Sequence, residues 1–490
     1  MKQIATLGLA LWAAVAAVGA AELASTRWQD DLAAMTVNRP GYAFWQHIFT
    51  IPDGSIAFGS ARDGRLLVIF PTKGDWIRDA AWTEGSLASL LDGQEMPKDL
   101  DDRRSLVVSL LEPVVGPVLH NPTRGDFLRP GARRYGSFLS EWGAIYERFG
   151  VPADIGLAQA ILESGLDGMK RSEARAVGFC QWLERNWKQL DRLSPQTIES
   201  RNQTTQAPYC AAYLAILATR YGSFIPAVSE HNAGGTNVGR ILINGQRMGG
   251  RTTRDQYFLG SQLARDLRQV DLEGYKDLYR TYGPRSYFYA EMVFGNSFNV
   301  RNIAAATPQV KIFAMRTPRA IALADIVRRT RLSADEIRRF NPALVRRVPA
   351  GGTLYLPRYV KDFGPDVSFW HRPPTEAYAS LLEDFLQVDL APEQWADGTA
   401  EPVLREFQRR FRQTKTEEGS VMGTVLEYAM DAAFSSEQRE ILAEYRESDE
   451  VRRLFEQGVV AREAVRPVYT LQDDTEAKPD DQERLGEARP

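Results

Sequence analysis

The stretch Ile155-Gly-Leu-Ala-Gln-Ala-Ile-Leu-Glu-Ser-Gly-Leu-Asp167 constrains this chain most. Its apolar residues Ile155, Ala158, Ile161 and Leu162 recur three and four apart, the spacing of one helix face. The same period runs upstream through Phe138, Trp142, Ile145 and Tyr146, so that Gly136 to about Leu217 reads as a helix-rich domain. One carboxylate, Glu163, ends the apolar face. Partial burial there would raise its pKa and let it hold a proton near neutrality, as a general acid must. A helix-terminal glutamate facing solvent is the plainer alternative.

A helical domain of that size leaves much of the 490-residue chain to explain. At roughly 150 residues per domain the length predicts two to four domains. With 44% hydrophobic and 25% charged residues, neither a multi-span membrane protein nor a wholly disordered chain is expected. The net charge of −3 hides segregation. Residues 301–360 carry twelve basic side chains against Asp325, Asp335 and Glu336, a balance of +9, whereas the last twenty residues carry seven acids against three bases, a balance of −4.

The first residues, Met-Lys followed by an uncharged run from Ile4 to Val18 and small residues at Val18-Gly-Ala20, have the layout of a secretory signal peptide over 1–20. The run is short for a bilayer span of about 20 residues, so an exported chain without an integral membrane span is expected. Export disfavours nucleic acid as a partner and permits disulfides. The cysteines, Cys180 and Cys210, are either bonded or two buried thiols. Neither they nor the scattered His47, His120, His231 and His371 show metal-ligand spacing, and no metal or cofactor is expected.

Residues 21–130 form an N-terminal segment in which Ile56–Phe70 reads as two strands around Asp63-Gly64. Residues 310–357, within a unit spanning 308–360, read as β-α-α-β. A strand Val310–Phe313 leads into a helix around Ala322–Thr330; Ser333 and Glu336 form a capping box for the next helix, and Leu354–Pro357 closes the unit. Residues 370–465 are again helical in pattern, and the acidic tail 466–490 has too few large apolar groups to fold.

Two further motifs follow Glu163-Ser164: Ser172-Glu-Ala-Arg-Ala-Val-Gly-Phe-Cys-Gln181 and His231-Asn-Ala-Gly-Gly235. In this order and spacing they resemble the lytic transglycosylases of bacterial cell walls and the related goose-type lysozymes. The resemblance covers 136–300 and implies a lysozyme-like helical fold with a glycan cleft, in a chain that is mainly α. It implies Glu163 as catalytic acid and base, Ser164 as support for its turn, and Ser172 as a contact to an N-acetyl group. Gly178 and Gln181 would line one wall; His231, Asn232, Ala233 and Gly234 would line the other. A family tyrosine late in the domain matches Tyr289 best, with Tyr257 the other candidate. Arg175 stands where the family prefers glycine, Phe179-Cys180 where it has Leu-Met, and His231 where it has tyrosine. Glu230 is a second carboxylate that the pattern does not require.

The resemblance implies cleavage of the MurNAc-GlcNAc β-1,4 bond with a 1,6-anhydromuramyl product, the single glutamate serving as acid and then as base. A hydrolytic muramidase and a non-catalytic peptidoglycan-binding scaffold are the alternatives. Leu332–Pro342 and Gly351–Pro357 resemble the LysM module, which binds N-acetylglucosamine-containing glycans, and a catalytic domain followed by LysM resembles the D-type membrane-bound lytic transglycosylases. The implied partners are peptidoglycan strands, with cell-wall or division proteins for the C-terminal helices, and the implied place is the periplasm.

Overall fold

The computed structural model describes residues 26–183, 197–247, 249–269 and 288–364. The expected signal peptide, C-terminal helices and acidic tail lie outside the described residues. The fold is mainly helical with small antiparallel sheets, and no described helix is long and apolar enough to cross a membrane.

Helix α1 (residues 26–38) and the short turns Pro40–Phe44 and Trp45–Ile48 precede the first strand. They bury Met35, Phe44, Trp45 and Ile48 in the core of the helical body. A four-stranded sheet of order β3-β2-β1-β4 follows, from β1 (Ser55–Ser60), β2 (Leu66–Pro71), β3 (Ala81–Trp82) and β4 (Val118–Pro122). β1 and β2 form the expected hairpin, pairing Ser55 with Pro71 and Phe58 with Val68. Helix α2 (Leu100–Val115), capped by Asp99, packs Val107, Leu111 and Val115 against Ile56, Phe58, Phe70 and Trp76 in a second, separate core.

The chain enters and leaves this sheet unit at one place: the N–H of Arg124 donates to Ile48 O (2.6 Å) and that of Gly125 to Ile51 O (2.8 Å). Residues 26–48, which sequence grouping joins to the strands, therefore belong by packing to the helical body. The reason lies in their aromatic groups, which find partners there: Trp28 meets Phe294 at 5.2 Å and Trp45 meets Phe288 at 5.5 Å between centroids.

The helical body comprises α3 (Gly125–Tyr135), α4 (Leu139–Arg148), α5 (Ala153–Ser164), α6 (Gln203–Tyr221), α7 (Phe224–Ala233), α8 (Gly235–Arg247), α9 (Thr253–Gln269) and α10 (Tyr289–Ala306). The core is one cluster that includes Phe138, Trp142, Ile145, Tyr146, Ile155, Ala158 and Ile161, the periodic positions of the sequence. Helix α5 lies inside it, buried from Ile155 to Ile161. The ring of Tyr146 lies so close to Gly156 that a Cβ there would come within 2.1 Å of it. Gly165, in the left-handed region at φ 60°, ends α5 just after Glu163 and Ser164. The short hairpin β5 (Ala176–Val177) and β6 (Trp182–Leu183) follows.

The last described unit is β7 (Phe313–Arg316), β8 (Ile321–Ala322), α11 (Leu323–Thr330), α12 (Ala334–Phe340), β9 (Arg347–Val348) and β10 (Thr353–Leu356), with β10 antiparallel to β7 and β8 to β9. Ser333 Oγ caps α12 by accepting from the N–H of Glu336 (3.1 Å). The opening strand starts at Phe313 rather than Val310. Val310 donates instead to Ser137 O (2.9 Å) and Lys311 pairs with Glu141 at 2.8 Å, so residues 310 and 311 tie the connection to the helical body.

Candidate active site

Glu163 is presented by the last turn of α5, with 15% of its side chain exposed. Tyr289, the first residue of α10, donates its phenolic hydrogen to Glu163 Oε1. Burial pushes the Glu163 carboxyl up to about 7, against the smaller downward pull of the Tyr289 hydrogen bond. The helix-end carboxylate is thus poised to hold and release a proton near neutral pH. Tyr289 is itself driven well above its ordinary value, by burial first and then by the adjacent Glu163, so it stays a neutral donor.

His231, in the last turn of α7, is the other group beside Glu163, with Nε2 3.8 Å from Oε1. Burial lowers the imidazole to about 4, outweighing its hydrogen bond to the Cys180 carbonyl. The ring is therefore neutral, and the contact is not an ion pair. Its Nε2 lies 2.8 Å from the carbonyl oxygen of Cys180. A carbonyl only accepts, so Nε2 carries the hydrogen and Nδ1 is the bare acceptor. Tyr213 lies 5.7 Å from the His231 ring and Trp182 lies 5.2 Å from Tyr213, centroid to centroid, forming an aromatic flank.

Three anchors hold the 176–183 hairpin beneath the carboxylate. Ser164 Oγ reaches both Ala160 O and Phe179 O, each at 3.0 Å, joining the end of α5 to the hairpin. Cys180 and Cys210 form a disulfide that ties the hairpin to α6, which settles the choice the sequence left open. Gln206 accepts from the N–H of Phe179 (2.9 Å) and donates to Gly168 O (3.0 Å) and Ser200 O (2.8 Å). Gln206 was not among the sequence candidates. Its signal was a cluster of polar residues, Gln203-Thr-Thr-Gln206, opening an otherwise apolar helix.

Ser172 Oγ accepts from the N–H of Ala176 (2.9 Å), while the Ser172 N–H donates to Ala176 O (2.9 Å), closing the turn before β5. Arg175 in that turn adopts φ 61°, the left-handed region in which glycine is at ease. Gly178 is also left-handed, at φ 84°, and a Cβ on it would lie 2.5 Å from Gln206 Nε2. Gln181 donates from Nε2 to Lys170 O (3.1 Å) and Gly178 O (3.0 Å). Across the site, Asn232 is exposed, Ala233 O accepts from Asn237 Nδ2 (2.7 Å), and Gly234 leaves α7 at φ 81°, where among the described residues a Cβ would meet no atom within 4 Å.

The two tyrosine candidates separate. Tyr289 meets Glu163, whereas Tyr257 Oη lies 2.5 Å from Ser229 Oγ, in a buried group with Arg39, Arg265 and Glu291. Glu230 is buried and its Oε2 accepts from Tyr221. No protein-family model matches the chain and no curated protein is similar to it.

Proposed function

We propose that this protein is an exported peptidoglycan lytic transglycosylase, a carbohydrate lyase that cleaves the MurNAc-GlcNAc β-1,4 bond and leaves a 1,6-anhydromuramyl end. The observation that carries this reading is the Glu163 carboxyl. It ends a buried helix, receives a hydrogen bond from Tyr289 and is held near pH 7 by burial. Residues of the Ser172–Gln181 motif build the hairpin behind it, and His231 of the third motif touches both the hairpin and the carboxylate.

Most glycosidases divide the work between two carboxylates. Here one serves twice. Protonated Glu163 donates to the glycosidic oxygen as the bond to the anomeric carbon breaks, and the substrate's own acetamido oxygen stabilises the positive carbon. The resulting carboxylate then removes the hydrogen of the muramyl C6 hydroxyl, whose oxygen closes on the anomeric carbon. Tyr289 stabilises the charged form that links the two steps by donating to it. A hydrolase would need a group to activate water. Glu230, the second carboxylate nearest in sequence to the motif, is engaged by Tyr221, which favours the single-carboxylate route.

On this reading the helical body is a lysozyme-like domain and the β7–β10 unit a LysM-like module, with peptidoglycan as substrate and the periplasm as site of action. Digestion of purified peptidoglycan, followed by mass analysis, tests it. The expected products are lighter by one water than those of a hydrolase, and Glu163→Gln should abolish them while retaining binding. Products of ordinary mass would make the enzyme a muramidase, and full activity of Glu163→Gln would remove Glu163 from its role.

A further inference from the structure

Gln159 sits in the middle of the apolar face of α5, one turn before Glu163, and is only 1% exposed. Residues four apart share a helix face, so its amide lies beneath the carboxyl that Tyr289 contacts. Among the described residues its Nε2 has no hydrogen-bond partner, and neither does the hydroxyl of Tyr146, whose ring covers Gly156 on the same helix. A buried donor left without a partner costs about 1–3 kcal/mol. Leucine or methionine would fill this place in the core without that cost, so packing alone does not account for a glutamine here.

We infer that Gln159 is a positioning residue for the Tyr289–Glu163 pair. The hydroxyl of Tyr289 has one hydrogen and two lone pairs. An amide N–H directed at those lone pairs disfavours the hydroxyl as an acceptor, so its hydrogen is kept on Glu163. Consistent with this direction, the Gln159 amide favours the charged form of Tyr289, although the N–H falls short of full hydrogen-bond geometry. Two consequences follow for the single-carboxylate cycle. The carboxylate form of Glu163 always finds a donor in Tyr289, and the proton of its acid form is discouraged from turning inward to Tyr289. That proton is left for the leaving oxygen.

This inference rests on Glu163 being the acid, but its test does not need turnover. The variant is Gln159→Met, which keeps length and removes the donor, and the readout is the titration of the Glu163 side-chain carboxyl by carbon NMR in the ligand-free protein. The expected result is an upward shift of roughly 0.5–1 pH unit, as the carboxylate loses support from a correctly oriented Tyr289. The shift should be absent when Gln159→Met is added to Tyr289→Phe, because the effect passes through the phenol. In activity, the alkaline limb of the pH profile should move upward with KM nearly unchanged. An unaltered Glu163 titration in a folded Gln159→Met protein overturns the proposal, as does an equal shift in the Tyr289→Phe background. Gln159→Leu serves the same cycle if the methionine variant does not fold. A Glu163 shift seen in a protein that releases no anhydro product would sustain the positioning role and reject the transglycosylase reading alone.

Discussion

The hydroxyl oxygens of Thr205 and Tyr355 lie 2.7 Å apart, fully buried, and join the β7–β10 unit to the first turn of α6. Around this bond Asn202 Nδ2 donates to Phe340 O (2.8 Å), the N–H of Thr353 donates to Glu199, and Phe340 packs on Phe138 with centroids 4.6 Å apart. The same turn of α6 carries Gln206, which holds the 176–183 hairpin. The β-α-α-β unit is thus built into the support of the candidate site.

Tyr355→Phe should accordingly destabilise the whole molecule by about 1–2 kcal/mol, since it leaves the Thr205 hydroxyl buried without its partner. The double variant Thr205→Val with Tyr355→Phe should recover part of the loss, because both polar groups are then gone. Urea unfolding followed by tryptophan fluorescence measures both. On the proposed function, deleting residues 308–360 should abolish activity on soluble glycan fragments as well as on whole sacculi, whereas a tethered binding module would be dispensable for the fragments.

Reduction of the Cys180–Cys210 bond, or Cys180→Ser with Cys210→Ser, should cost ~3.5 kcal/mol in the chain-entropy model for a loop of this span. The effect should reach His231, whose Nε2 is held by the Cys180 carbonyl. With the hairpin loosened and water admitted, the imidazole should rise from about 4 toward its ordinary 6.5. Thermal unfolding with and without reductant, and proton NMR of the histidine ring, check the two parts.

What the sequence made legible was whatever depends on local pattern. Phe138, Trp142, Ile155 and Ile161 fell in the core because helix periodicity reports a buried face directly. Ser333 capped α12 because capping is a contact three residues long. The pairing of Tyr289 with Glu163 spans 126 residues, and the choice between Tyr289 and Tyr257 turned on packing of α10 against α5 that no local spacing encodes. Gln206, Gln159 and the affiliation of residues 26–48 escaped for the same reason. Each is defined by what lies across the core from it.

Arg175 and Gly178 give opposite expectations in one turn. Arg175 is exposed and held at φ 61°, a conformation that costs a side chain about 1 kcal/mol. Arg175→Gly should therefore stabilise the protein by roughly 0.5 kcal/mol, the relief being reduced by the greater freedom of glycine in the unfolded chain. Gly178→Ala should destabilise it by at least ~1 kcal/mol, since φ is 84° and the new Cβ would press on Gln206. Denaturant midpoints of the two single variants decide both signs.

The 3.8 Å approach of His231 to Glu163 couples two groups whose burial acts in opposite directions on stability. Glu163 rises from 4.5 to about 7 in the native protein, and His231 falls from 6.5 to about 4. Over the shared window from 4.5 to 6.5, folding takes up one proton at Glu163 and releases one at His231, so the two contributions to the pH slope cancel. Substitution should expose each alone. Relative to the wild type, Glu163→Gln should gain stability as pH rises from 4.5 and level off above about 7, by on the order of 3 kcal/mol, because the burial of a charged carboxylate has been removed. His231→Gln should show the reverse trend, losing stability relative to the wild type between about 4 and 6.5, where the wild type alone gains from its imidazole becoming neutral. Urea unfolding of the three proteins from acid to neutral pH provides the curves. A constant offset between wild type and Glu163→Gln across that range would mean that Glu163 is ionised in the native protein at acid pH, and would remove the general acid from the proposed mechanism.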